Sequence, residues 1–196
     1  HPYIATSLNS LALLLYNQGQ YAIAEPLTRR SLAIVEKRHG PEHLLVAHSL
    51  NNLAHLLYKQ GRLADAEQLL RRSLSIREKN LGPDHPDVAL SLNNLASLLS
   101  DTGQYAAAES LYGRSLKIYK KMHGEEHADV ALVLNNLASL LSDQGRHEEA
   151  IRLYRRALEI REKTLGPNHP EFADSLNDLA GLLREQEQYS EAESLY

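Results

Sequence analysis

Residues 91–103 read S-L-N-N-L-A-S-L-L-S-D-T-G, and the chain restates this segment at 7–19, 49–61, 133–145 and 175–187. The pairs Leu8-Asn9, Leu50-Asn51, Leu92-Asn93, Leu134-Asn135 and Leu176-Asn177 fall 42 residues apart throughout. A fixed period between 20 and 50 residues belongs to arrays of stacked units, each too small to bury its own apolar face. Length therefore counts copies: 1–42, 43–84, 85–126, 127–168 and a partial 169–196, together one expected domain spanning 1–196. The last copy stops inside its second helix at Tyr196, and the chain opens at His1 rather than Met, which reads as a segment of a longer protein.

Each copy predicts two helices. It opens on His (His1, His43, His85, His127, His169), followed in three copies by Pro2, Pro86 and Pro170. Proline suits the first position of a helix, where its missing N–H would be unpaired anyway. In copy three, Val88, Ala89, Leu92, Leu95, Ala96, Leu98 and Leu99 make the wide apolar stripe of an amphipathic helix of about 16 residues. Gly19, Gly61, Gly103 and Gly145 supply the left-handed stop, and Glu187 in the fifth copy should cost about 1 kcal/mol there. The second helix opens at Tyr21, Leu63, Tyr105, His147 or Tyr189 and ends at Gly40, Gly82, Gly124 or Gly166. Pro26 should fray or bend its first turn in copy one, and Gly113 should weaken it in copy three. Alanines recur at three slots in every copy (Ala5, Ala12 and Ala24 in the first) and let helix axes approach closely.

Composition closes off several functions. A net charge of −4 with both signs interspersed lacks the concentrated basic face that nucleic acid demands. With no cysteine there is no disulfide, thiol catalysis or Cys-ligated zinc, which fits a reducing, cytoplasmic setting. No apolar run reaches the roughly 18 residues that would mark a membrane-spanning helix.

Small residues two turns apart, Gly at the interhelix turn, Tyr two residues later and Ala three beyond resemble the tetratricopeptide repeat. The 42-residue period, L-N-N-L-A at 92–96 and 134–138, and L-G-P-D-H-P at 81–86 resemble the repeats of kinesin light chains and their bacterial relatives. The resemblance implies an all-α solenoid of stacked antiparallel hairpins, wound as a right-handed superhelix with a concave groove. It implies a protein-interaction scaffold that takes a peptide or helix of a partner, in the manner of a cargo adaptor.

Asn9, Asn51, Asn93, Asn135 and Asn177 directly follow a buried Leu, off the apolar stripe. The resemblance places this slot on the groove, where an amide can both donate to and accept from a peptide backbone. The alternative is a bond to a neighbouring helix or loop. The second asparagine (Asn52, Asn94, Asn136) is expected to tie one copy to the next. On the same stripe, four or seven residues away, Leu13, Tyr16, His48, His55, Tyr58 and Lys59 make the N-terminal half aromatic and weakly basic. Ser97, Ser100, Asp101, Ser139, Ser142 and Asp143 make the C-terminal half small and more acidic.

His39/His43 and His123/His127 stand four apart, but Gly40 and Gly124 break the continuous helix that the H-E-x-x-H metal geometry needs. Leu81 and Leu165 fill the equivalent slot elsewhere, so these histidines are expected to be structural, with no metal or cofactor. The serines lack a nucleophile elbow and there is no phosphate loop, so no enzyme is expected. Two other readings stay open: a sensor or regulatory array of a larger signalling protein, and a module that self-associates through Leu182, Tyr189 and Leu195 of the uncapped last copy.

Overall fold

The computed structural model describes residues 2–195, with side chains from residue 4; His1 and Tyr196 lie outside the described residues, as does the Pro2 side chain. First helices are α1 (Pro2–Asn17), α3 (Leu44–Lys59), α5 (Pro86–Asp101), α7 (Ala128–Asp143) and α9 (Pro170–Glu185). Second helices are α2 (Tyr21–His39), α4 (Leu63–Leu81), α6 (Tyr105–His123), α8 (His147–Leu165) and α10 (Tyr189–Leu195). Among the described residues every regular element is helical.

Contacts divide the chain into two compact units, His1–Leu98 and Leu99–Tyr196. In the first, α2 packs against α1 and α3, and α3 against α4. In the second, α7 packs against α6 and α8, and α9 against α8 and α10. The repeating Leu and Ala positions form the core: Ala12, Ala54, Ala96, Ala138 and Ala180 are buried, as are Ala24, Ala66, Ala108, Ala150 and Ala192. Ala173 departs from its slot and is exposed. Leu182, expected to lack cover, is buried at 4% exposure, because its own hairpin already packs over it; Tyr189 is 57% exposed.

Two turn types alternate along the chain. After each first helix the backbone closes a Schellman motif: Gly103 N–H donates to Ser100 O (2.9 Å) and Gln104 N–H to Leu99 O (2.8 Å). The fifth copy keeps the motif, with Glu187 N–H donating to Arg184 O (3.1 Å) and Gln188 N–H to Leu183 O (2.9 Å). Glu187 is thereby held at φ 61°, the one non-glycine residue with positive φ among those described. Glu187→Gly is expected to raise the unfolding free energy by about 1 kcal/mol, read from the urea midpoint.

The repeat-opening histidines are helix N-caps. Nδ1 of His43, His85, His127 and His169 accepts a hydrogen bond from the backbone N–H two residues on, at 3.1–3.3 Å. Such a bond satisfies one orphan donor of the first turn and contributes about 1 kcal/mol. Pro26 does not stop α2 from starting at Tyr21 like its counterparts, since it removes only the one ladder bond to Ala22. Gly113 sits in open space mid-helix, so its penalty is the glycine's own flexibility rather than a packing need.

A further alternation lies in how hairpins are joined. Arg77, late in α4 and 8% exposed, bonds to the Ser91 hydroxyl of α5, and its counterpart Arg161 in α8 bonds to the Ser175 hydroxyl of α9. In the odd copies the same pair of slots holds Val35 with Ser49, and Tyr119 with Val133. Val35 packs on the Val46, Ala47, Leu50 and Ile76 cluster, and Tyr119 and Val133 are both buried. Joints are polar after the even copies and largely apolar after the odd ones.

Candidate functional site

In the first unit, α1 and α3 leave a groove of about 660 Å³ between their inner faces. Its walls include Asn9, Leu13, Tyr16, His48, Asn52 and His55. Five of the residues expected on the groove, Asn9, Leu13, Tyr16, His48 and His55, are thus brought together. Leu13 is 60% exposed and supplies an apolar wall, and Tyr16 is braced edge-on by the Tyr21 ring at 5.3 Å. Tyr58 and Lys59 are not among the groove walls; the Lys59 ammonium lies 5.7 Å from the Tyr58 ring centroid.

Asn52 was expected to hold copies together, yet it lines the groove, with its Nδ2 3.3 Å from His48 Nε2. The signal was present in the spacing: His48, Asn52 and His55 are four and seven residues apart and share one face, whereas Asn51 is turned about 100° from Asn52. Asn51 Oδ1 instead accepts from Asn94 Nδ2 of the next copy (3.2 Å). The expectation of open amides is corrected at two further rungs. Asn93 is 4% exposed and Asn135 is 9% exposed. The Asn135 amide donates to Asp178 Oδ2 (2.9 Å) and accepts from the Ser175 hydroxyl (2.8 Å), so its hydrogen-bonding capacity is directed inward. Asn177, Ser97 and Ser139 are exposed.

The electrostatics of the two units differ. In the first, loss of hydration pushes the His55 pKa down, and the charge of Lys59 adds to that, which favours a neutral ring. With amides, phenol and neutral imidazole around an apolar wall, this groove offers hydrogen bonds without a strong field. In the second unit, Asp101, Asp143 and Glu185 occupy one slot in successive copies. Burial raises the Asp143 pKa, and the charges of Asp101 and Glu185 raise it further. A carboxylate whose folded pKa lies above its unfolded value holds its proton longer in the folded state, so stability falls as pH rises through that interval. Asp143→Asn is therefore expected to stabilise the fold at pH 7 by about 0.3 kcal/mol after solvent screening. The gain should vanish once pH drops below the ordinary aspartate value of 3.8, as paired urea titrations would show.

Late in the second helices, arginines form both i, i+4 pairs within a helix and bridges between hairpins. Arg29 meets Glu25 and Arg71 meets Glu67 within their helices, while Arg72 reaches Glu36 and Arg155 reaches Glu191 of the adjoining copy. These are exposed contacts, worth at most about 1 kcal/mol each.

The repeat is matched as a family. The tetratricopeptide repeat model fits residues 3–79, 47–121 and 129–196. The chain belongs to the tetratricopeptide repeat family. No curated protein matches it. Among solved structures, BtubC (BKLC) from P. vanneervenii is 25% identical with a TM-score of 0.83, covering 99% of this chain and 77% of its own. The nearly identical TPR-like repeats of a Podosopora anserina protein described as a kinesin light chain are 29% identical with a TM-score of 0.79, covering 100% and 92%. The apo form of RapI, at 17% identity and a TM-score of 0.78, covers 97% and 67% and shares the fold. The repeats of this chain are thus kinesin-light-chain-like, and tetratricopeptide repeats support a protein-interaction scaffold in general. Among the described residues no helix is long and apolar enough to cross a membrane.

Proposed function

We propose that this tetratricopeptide array binds a peptide segment of a partner protein in the groove between α1 and α3, as a cargo-adaptor-like scaffold. The observation that carries the reading is the convergence of Asn9, Tyr16, His48, Asn52 and His55 around one exposed apolar wall. An apolar side chain of the peptide would seat against Leu13 and Tyr16, and the amides of Asn9 and Asn52 would hold its backbone. Stacked hairpins hold these groups in place before binding, which lowers the ordering cost of capturing a flexible segment.

The test is a peptide array probed with the whole chain, followed by fluorescence anisotropy on the selected peptide. Selected sequences should carry an apolar anchor. Leu13→Asp and Asn52→Ala should each weaken binding by about tenfold or more, while Ser97→Ala leaves it within about twofold. A selected peptide indifferent to both groove variants, or an array without any selection, would overturn the reading.

A further inference from the structure

The helix break at Gly124 does not separate His123 from His127; it folds one onto the other. Gly124 takes φ 85° and ψ 173°, a conformation essentially open only to glycine, and reverses the chain between α6 and α7. The two imidazoles stack with centroids 4.4 Å apart and planes at 21°. Asp129, in the first turn of α7, completes the cluster. Its Oδ2 lies 3.3 Å from His127 Nδ1 and 3.9 Å from His123 Nε2. One ligand atom from each of the three residues lies within 4.8 Å of the other two.

We propose that His123, His127 and Asp129 form a binding site for a divalent transition metal of the zinc type. Two imidazoles and one carboxylate are a donor set that zinc and its first-row neighbours accept, with remaining positions left to water. Bonds of about 2.0–2.1 Å to a shared ion place ligand atoms about 3.4 Å apart in tetrahedral geometry and up to about 4.2 Å when opposed. The 3.3 Å and 3.9 Å separations lie at or within that range, and the third pair is no more than 4.8 Å apart. All three side chains are 32–43% exposed, and rotation of the rings out of their stack would aim their lone pairs at one point. The competitor is internal: Asp129 N–H donates to His127 Nδ1 at 3.2 Å, and an ion on that nitrogen displaces the helix cap. The metal would staple the end of α6 to the start of α7.

The chain carries its own controls. Copy one has the same ring pair, His39 and His43 with centroids 4.7 Å apart, but Leu45 stands where Asp129 does. Copies two and four carry Leu81 and Leu165 in the slot of His123. His123→Leu and Asp129→Leu each install a side chain that another copy already accommodates at that slot.

The experiment titrates the full chain with Co²⁺, followed by its visible absorption, and with Zn²⁺ in a calorimeter. One ion per chain is expected, with cobalt bands displaced by Zn²⁺. Affinity should fall by about tenfold or more in both H123L and D129L, and stay unchanged in H39L. Binding that survives H123L and D129L, binding lost equally in H39L, or no binding by the unsubstituted chain at millimolar metal each overturns the assignment.

Discussion

Arg161→Ala is expected to lower the unfolding free energy by about 3–5 kcal/mol, the loss found when one partner of a buried charged network is removed. Arg161 is 4% exposed. One of its terminal nitrogens donates to Glu171 O (2.9 Å) and to the Ser175 hydroxyl, while the other faces the Glu171 carboxylate at 3.4 Å. Ser175 and Asp178 in turn hold the two ends of the Asn135 amide, so one side chain organises α7, α8 and α9. Burial lowers the arginine pKa despite the nearby carboxylates, and its Nε finds no acceptor among the described residues. The charge is therefore only partly compensated, and its removal leaves both a void and stranded acceptors. Arg161→Tyr alone should also destabilise. Adding Ser175→Val restores the combination of residues, Tyr119 and Val133, that occupies these slots at the joint after the third copy, and should recover a large part of the loss. Urea unfolding of the three variants decides the matter; a loss below about 1 kcal/mol for Arg161→Ala would mean that the network carries little stability.

The second large effect separates position in the repeat from position in the molecule. Leu14 and Leu140 occupy one slot, yet Leu140 is fully buried while Leu14 is 54% exposed. Leu140→Ala should cost about 2–5 kcal/mol, combining lost transfer energy with the cavity left behind. Leu14→Ala should cost no more than about 0.5 kcal/mol. Ile4 and Leu11 share the exposure of Leu14, whereas Val46, Leu53 and Leu56 in the corresponding slots of copy two are buried. Equal losses at the two leucines would show that local helix propensity, not stacking, sets the stability of this slot.

The features legible in the sequence were those that depend on local backbone and on recurrence. Glycine at a left-handed stop, alanine at a helix contact and leucine on a stripe are read copy by copy, and the helices begin and end where those residues stand. Glu187 was legible for the same reason, because a side chain forced to φ 61° departs from a rule that the other copies state. The asparagines were harder. One residue along a helix turns a side chain by about 100°, so Asn51 and Asn52 could exchange roles without any change in composition. The capping histidines and the stacked rings of His123 and His127 depend on how a turn closes, which a helix-periodicity argument does not describe. The arginine joints were hidden because they pair residues 14 positions apart across a hairpin boundary, and only in every second copy.

That last alternation bears on how such a gene can lengthen. An unequal crossover that duplicated copy four alone would bring Arg161 against Val133, and one that duplicated copy three would bring Tyr119 against Ser91, whereas duplicating copy two leaves Arg77 facing Ser49. An insertion or loss of 84 residues leaves every arginine facing its serine. Copy two can therefore be repeated singly, while copies three and four keep their joints when repeated as a pair, because Arg161 then meets Ser91.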